Sequence, residues 1–304
     1  MKQSIYSTEP HRGWLPWIWL APIIGVLMVA LPSLPFDILL EELNLVDANG
    51  EPSSAAGFCV FLLVPFAAMA TAVWVWVRFV ERRELSTVGL TGSARLRKFL
   101  SGLAIGVAMM VVATVSVWLL GGFRAEDAFP AFGSPAALFW IAMLLLCFVV
   151  QAGVEEFIFR GWLLSAATRR WNLPAGFIVS TLVFTFVHLS RTIPLQDVVM
   201  TVTFALFACA WAWRANSIWG VMGWHAGWNW IGGVGFDVPI TGLEVHLPAL
   251  FVRLVPEGSA VLNGGASGPE SGVLTTGMLA VATLALLLLP RQSDKDSRPS
   301  LEEE

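Results

Sequence analysis

One apolar run in this chain is interrupted by three charged side chains, and it determines how the rest of the sequence is interpreted. The run is Val149-Val150-Gln151-Ala152-Gly153-Val154-Glu155-Glu156-Phe157-Ile158-Phe159-Arg160-Gly161-Trp162-Leu163-Leu164. An ionisable side chain at membrane depth is costly and is kept mainly where it has a function. Glu155, Glu156 and Arg160 therefore predict a functional centre inside a membrane helix.

The composition of the whole chain indicates a polytopic membrane protein. Only 13% of the 304 residues are charged and 56% are hydrophobic, which soluble domains of this length do not normally show. Apolar runs long enough to cross about 30 Å of hydrocarbon as helix are predicted at 14–36, 56–79, 99–121, 135–160, 174–190, 195–213, 217–236 and 272–290. The predicted fold is all-α, with eight transmembrane helices and the polar residues of interest on the fourth, fifth and seventh.

Basic residues in the loops orient these spans, because Lys and Arg accumulate on the cytoplasmic side. With the amino terminus inside, all of the 18 basic residues except Arg124, Arg191 and Arg253 fall in inner segments. Both termini are therefore expected in the cytoplasm, and the composition favours a bacterial inner membrane. The first span is expected to remain uncleaved, because it is too long for a signal peptide and 32–36 offers no small-residue cleavage site.

The spans divide the chain into five predicted parts. They are a three-helix membrane region at 1–134, a catalytic core at 135–236, a long outer loop at 237–271, a last transmembrane helix at 272–290 and a disordered tail at 291–304. The basic connection 81–98 is expected to lie at the lipid headgroups. The apolar patch 247–252 is too short to span a membrane, so either it lies at the interface or it caps a cavity.

Two histidines and an asparagine on later spans complete the candidate site. Glu155 precedes the turn at 171–174 by about as many residues as His188 follows it, so an antiparallel helix pair brings the two side chains to the same depth. His225 and Asn229 share a helix face at i,i+4 and can both donate hydrogen bonds toward one point. Such paired donors suit a peptide carbonyl that becomes an oxyanion.

The two glutamates are expected to have different roles. They point about 100° apart on a helix, and Arg160 is the i,i+4 partner that can neutralise Glu156. Glu155 is therefore the predicted base and Glu156 with Arg160 a fixed charge pair, although the exchanged assignment stays open. Gly223 and Gly227, which flank His225, predict a close approach of another backbone.

Other chemically capable residues are not assigned to the site. The cysteines lie far apart in predicted spans and are interpreted as packing residues, and the remaining histidines lie in polar connections. Neither serine near the motifs has a paired base, so no covalent intermediate is expected. These residues are Cys59, Cys147, Cys209, His11, His246, Ser165 and Ser190.

Three ordered motifs resemble the CPBP family, the CAAX proteases and bacteriocin-processing enzymes, also described as the Abi or type II CAAX prenyl endopeptidase group. The family pattern is Glu-Glu-x-x-x-Arg, then Phe-x-x-x-His, then His-x-x-x-Asn or Asp, on three core helices. Here the motifs are Glu155 to Arg160, Phe184 to His188 and His225 to Asn229. The resemblance covers roughly residues 135 to 236.

The resemblance implies an eight-helix intramembrane endopeptidase. In such an enzyme Glu155 and His188 activate water, while His225 and Asn229 stabilise the oxyanion. Many members are described as metalloproteases, and Glu155, His188 and His225 are the residues that would hold zinc. A metal-free mechanism is preferred, because the ligands do not form a compact His-Glu-x-x-His element. The expected partners are membrane lipid and a peptide or membrane-protein substrate, with no nucleic acid.

Two other classes of function stay open. A non-proteolytic scaffold or bacteriocin self-immunity factor would use the same polar core only to hold helices together. A proton-coupled carrier would use the glutamates and histidines as a relay, but the sequence shows no inverted pair of broken helices of the kind that carriers use.

Overall fold

The computed structural model describes residues 5–6, 13–47, 50–90, 92–189 and 194–289. Within them the α-helices are α1 Ala21–Glu42, α2 Ala55–Val75, α3 Arg95–Leu119, α4 Pro135–Glu156, α5 Leu164–Arg170, α6 Leu173–Val187, α7 Leu195–Ala215, α8 Trp219–Gly235, α9 Ala260–Asn263 and α10 Val273–Leu288. A π-helical turn, Trp76–Val80, extends α2, and another, Phe157–Leu163, joins α4 to α5. Two strands, β1 Phe123–Ala128 and β2 Val252–Pro256, pair antiparallel.

The predicted all-α membrane fold is confirmed. Each predicted span overlaps one long helix of the described chain, and five helices are long and apolar enough to cross a membrane. α6, α8 and α10 have 15, 17 and 16 residues and are shorter than a typical span. In α8 all residues except Trp219 and Trp230 are buried, so this central helix is surrounded mainly by protein.

Several predicted boundaries were wrong. The first helix begins at Ala21 rather than at 14 and continues to Glu42, with Pro32 and Pro35 inside it. The fourth helix does not end at 160, because the π-helical segment continues it to Arg170 as one 36-residue helix. It is about 54 Å long at 1.5 Å per residue. The fifth helix ends at Val187, not at 190.

Some sequence predictions fall outside the described residues. They concern His11, Ser190 and the tail 291–304. The three cysteines, predicted to be packing residues, are buried free thiols.

The long connection after α8 is folded onto the protein. The backbone N–H groups of Leu250 and Phe251 donate to the carbonyls of Val234 and Gly235, at 2.8 and 2.9 Å. The apolar patch 247–252 therefore packs against the end of α8. A second attachment is Glu270, which accepts hydrogen bonds from Thr241 N at 2.6 Å and Trp228 Nε1 at 3.2 Å. Burial raises the pKa of the Glu270 carboxyl above its usual value.

The connection 81–98 is more than the headgroup anchor that the sequence predicted. Glu81 and Arg83 form a buried ion pair at 2.7 Å. Glu81 also accepts a hydrogen bond from Trp162 Nε1 at 2.7 Å, and Arg83 Nη2 donates to Ser165 Oγ at 2.6 Å. The pair thus fastens the end of α2 to the long fourth helix, and its charges satisfy each other inside the protein.

Backbone contact between α3 and α8 positions the centre of the molecule. A Cβ added at Gly223 or Gly227 would overlap the carbonyl of Phe99 or Leu103 on α3. In return, a Cβ at Gly106 on α3 would overlap the Trp224 carbonyl on α8. The predicted close approach at Gly223 and Gly227 is therefore confirmed, and small residues permit this packing, as in other membrane helix pairs.

We expect Gly106→Ala to destabilise the protein by about 1–3 kcal/mol, the usual cost of overpacking, because the new methyl group would force α3 away from Trp224. Thermal unfolding in detergent would measure the change. Gly277→Ala is the matched control, since no atom of the described residues lies within 4 Å of a Cβ added on α10. Equal melting temperatures for the two variants would contradict the proposed backbone contact.

Candidate active site

The helix that carries both glutamates widens directly after them. α4 ends at Glu156, and Phe157–Leu163 is π-helical, a rare conformation that is frequent at functional sites. The hydroxyl of Tyr6 donates to the carbonyl of Arg160 at 2.9 Å, so the amino-terminal segment supports this wide turn. Burial raises the pKa of Tyr6 well above its usual value, and its hydroxyl remains a donor.

Glu155 lies between two imidazoles. Its Oε1 is 3.9 Å from His188 Nε2, and its Oε2 is 3.7 Å from His225 Nε2. Both separations are too long for a direct hydrogen bond, and they suit a water that bridges the groups. The buried Oε2 has no hydrogen-bond partner among the described residues. The structure thus brings Glu155 and His188 together, as their equal distances from the turn predicted.

The other ring nitrogen of each histidine fixes its orientation. His188 Nδ1 is 2.7 Å from the carbonyl of Phe184, and His225 Nδ1 is 2.8 Å from Glu156 Oε1. A carbonyl and an ionised carboxylate only accept hydrogen bonds, so we assign the Nδ1 proton to both rings. Each Nε2 then faces Glu155. Such fixed tautomers are typical of histidines that work in catalysis or metal binding.

Glu156 is the centre of a fully buried charge cluster. Its Oε1 lies 3.1 Å from Arg160 Nη1, and both side chains have no exposed surface. The guanidinium also lies 4.2 Å from the ring centroid of Phe184, and that ring stacks on His188 at 4.1 Å. The predicted pair of Glu156 and Arg160 is present, but the contact of Glu156 with His225 was not predicted. Glu156 therefore connects α4 to α8.

Asn229 has a partner that sequence reasoning missed. Its Nδ2 donates to Gln151 Oε1 at 3.1 Å, and both residues are buried. Gln151 lies one turn before Glu155 on α4, just as Asn229 lies one turn after His225 on α8. The antiparallel helices therefore face each other through two successive polar pairs. The i,i+4 spacing of Gln151 and Glu155 within an apolar run placed Gln151 on the same helix face as the base, but it did not specify Asn229 as its partner.

The separations of the Glu155, His188 and His225 side chains differ from those of tetrahedral zinc ligands. Tetrahedral ligands at about 2.0–2.1 Å from the metal lie about 3.3–3.4 Å apart, and the separations of Glu155 from His188 and His225 are 3.9 and 3.7 Å. Among the described residues, no group of three or more His, Cys, Asp or Glu side chains has a metal-binding arrangement. The residues as placed do not fit zinc.

We expect Arg160→Met to destabilise the protein by about 3–5 kcal/mol, because it leaves the buried Glu156 carboxylate without its cation. Thermal unfolding in detergent would measure the loss. Arg124→Met is the matched control, because Arg124 pairs with Glu126 at the surface and exposed pairs contribute about 0–1 kcal/mol. A similar small loss in both variants would show that Arg160 does not neutralise Glu156.

Comparison with known proteins identifies the domain that contains this site. Residues 137–231 match the family model of the Rce1-like type II CAAX prenyl endopeptidases, and all six predicted site residues lie within this range. No curated protein and no solved structure matches the chain. The match covers about a third of the chain, and it supports the resemblance to the CPBP family of CAAX proteases that the three motifs indicate.

Proposed function

We propose that this protein is an intramembrane endopeptidase that hydrolyses a peptide bond of a membrane-associated peptide or protein. The observation that carries the proposal is the position of the Glu155 carboxylate, 3.7 and 3.9 Å from the Nε2 atoms of two oriented histidines. The peptidase character of the family supports the same reaction class. The residues proposed to act are Glu155, Glu156, Arg160, His188, His225 and Asn229.

The first step is attack by water. A water between Glu155 and His188 donates hydrogen bonds to a carboxylate oxygen and to the unprotonated Nε2. As the water oxygen bonds to the peptide carbonyl carbon, Glu155 takes its proton as general base. His188 holds the water in place, since the carbonyl of Phe184 and the ring of Phe184 fix its imidazole.

The second step is stabilisation and collapse of the tetrahedral intermediate. Asn229 Nδ2 donates to the oxyanion. His225 donates from Nε2 after taking a second proton from solvent, and its positive charge is balanced by Glu155 before the attack and by the oxyanion after it. The carbon–nitrogen bond then breaks, and the proton held by Glu155 passes to the leaving amine. Water and one peptide bond thus yield a carboxylic acid and an amine, without a covalent enzyme intermediate.

The surroundings of this reaction are also proposals. Large apolar side chains such as Leu182, Phe186 and Val281 are exposed on the outer surfaces of the helices. These surfaces are proposed to face lipid. We place both termini in the cytoplasm, on the distribution of basic residues, and we place the protein in a bacterial inner membrane, on its composition. The substrate is a peptide or protein of the same membrane, and residues 135–236 are the catalytic core.

We expect Glu155→Gln to fold normally and to lose activity by about 10²–10⁴-fold, the usual contribution of a general base. Mass spectrometry of membrane peptides from cells with the native chain and with the variant would reveal products that only the native enzyme forms. Glu126→Gln, a change at a surface carboxylate, is the matched control and should leave those products unchanged.

Three results would count against this assignment. Activity that is retained in Glu155→Gln but lost in Glu156→Gln would exchange the roles of the two glutamates. An unfolded Glu155→Gln protein would favour the scaffold or self-immunity function, in which the polar core only holds helices together. Identical membrane peptides from cells with the native chain, with folded Glu155→Gln and with folded Glu156→Gln would remove the protease function.

Removal of metal gives a separate prediction. We expect the purified enzyme to keep its activity after treatment with a zinc chelator, because Glu155 lies farther from His188 and His225 than tetrahedral zinc ligation requires. The substrate is a peptide identified by the comparison of membrane peptides. The rate of peptide cleavage before and after treatment measures this. A loss that zinc restores and buffer exchange alone does not would establish a metal mechanism.

A further inference from the structure

The amide of Asn229 is an oxyanion donor only if its nitrogen, and not its oxygen, faces the substrate carbonyl. Rotation about the last side-chain torsion of asparagine is broad and nearly two-fold. The exchanged orientation would present a carbonyl dipole to the developing negative charge. A neighbouring group must therefore hold the Asn229 amide in one orientation before the substrate binds.

Gln151 has the position and chemistry for that selection. Its Oε1 accepts a hydrogen bond from Asn229 Nδ2 at 3.1 Å. An amide nitrogen carries two hydrogens, so one remains for the substrate. Gln151 and Asn229 are only 6% and 9% exposed, so water competes little for either group.

Gln151 also fixes the position of the oxyanion donor, Asn229, relative to the base, Glu155. It lies one turn before Glu155 on α4, while Asn229 lies one turn after His225 on α8. A shift of α8 along α4 would therefore break the bond between Gln151 and Asn229. The same contact that selects the amide orientation also fixes the distance between the base and the oxyanion donor.

We propose that Gln151 is a positioning residue that holds the Asn229 amide with its second N–H directed at the oxyanion. The inference rests on the proposed peptidase function. A bond that served only to join two helices would affect the amount of folded enzyme. A positioning bond affects the turnover of the enzyme that has folded.

The decisive variant is Gln151→Met, which keeps the length of the side chain and removes the acceptor. We expect kcat to fall about 10- to 100-fold, less than the loss of an oxyanion-hole donor itself. The substrate is a quenched fluorescent peptide, whose sequence is taken from a peptide that only the native enzyme cleaves in the comparison of membrane peptides. KM should change less than about two-fold, because the lost interaction is made in the transition state. Gln196→Met is the matched control, since Gln196 lies at the start of α7 and its Nε2 donates to the carbonyl of Gly264 in a loop.

A double-mutant cycle separates positioning from packing. In an Asn229→Ala background, Gln151→Met should have no further effect on kcat, because it would act only through an amide that is already absent. If the two losses multiply, Gln151 acts independently of Asn229 and the proposal is overturned.

A measurement without substrate tests the same bond. With ¹⁵N-labelled asparagine, the side-chain signal of Asn229 can be assigned by its absence from Asn229→Asp. We expect Gln151→Met to shift that signal and accelerate its hydrogen exchange, and an unchanged signal would overturn the proposal. Full activity of both Glu155→Gln and Glu156→Gln would instead overturn the proposed function, so the two failures are distinguishable.

Discussion

Neutralisation of the buried Glu156 carboxylate is the constraint on which the site depends. A fully buried carboxylate is stable only when it is paired and hydrogen-bonded. Arg160 supplies the cation from the same helix, but the second hydrogen bond comes from His225 on α8. Glu156 Oε1 therefore has both of its hydrogen-bond partners only after α8 has docked against α4. Docking is the same event that brings His225 to Glu155, so one electrostatic requirement couples the fold to the candidate chemistry.

Features that depend on local helix geometry could be predicted from the sequence. The i,i+4 contact of Glu156 with Arg160 follows from helical periodicity alone. The meeting of Glu155 and His188 follows from equal rise on both sides of a turn, and the one extra residue of a π-helical turn is too small a change to separate them. Glycine positions on α8 were equally informative, because a missing side chain directly marks where backbones approach.

Features that depend on helix rotation and on distant segments could not be predicted. The partner of Asn229 is Gln151 because α8 turns that side chain toward α4, and no spacing within either helix specifies this rotation. Tyr6 contacts a carbonyl 154 residues away. The burial of Glu81 could not be predicted, because basic connections normally lie at the lipid headgroups. The first helix was placed too early, because prolines that usually end helices are tolerated within membrane spans.

The structure bears on the choice between the two glutamates as base. A general base needs an oxygen that can reach the water and accept its proton. Glu156 Oε1 already accepts hydrogen bonds from a guanidinium and an imidazole, so it is not free to accept a proton from water. Glu155 has no direct hydrogen bond from either facing imidazole, and His188 beside it is partly exposed. A proton accepted by Glu155 breaks no direct hydrogen bond with either facing imidazole, whereas a proton on Glu156 would release Arg160 and His225 together. The assignment of Glu155 as the base, with Glu156 as a fixed charge, therefore follows from the hydrogen bonds that each carboxylate already makes.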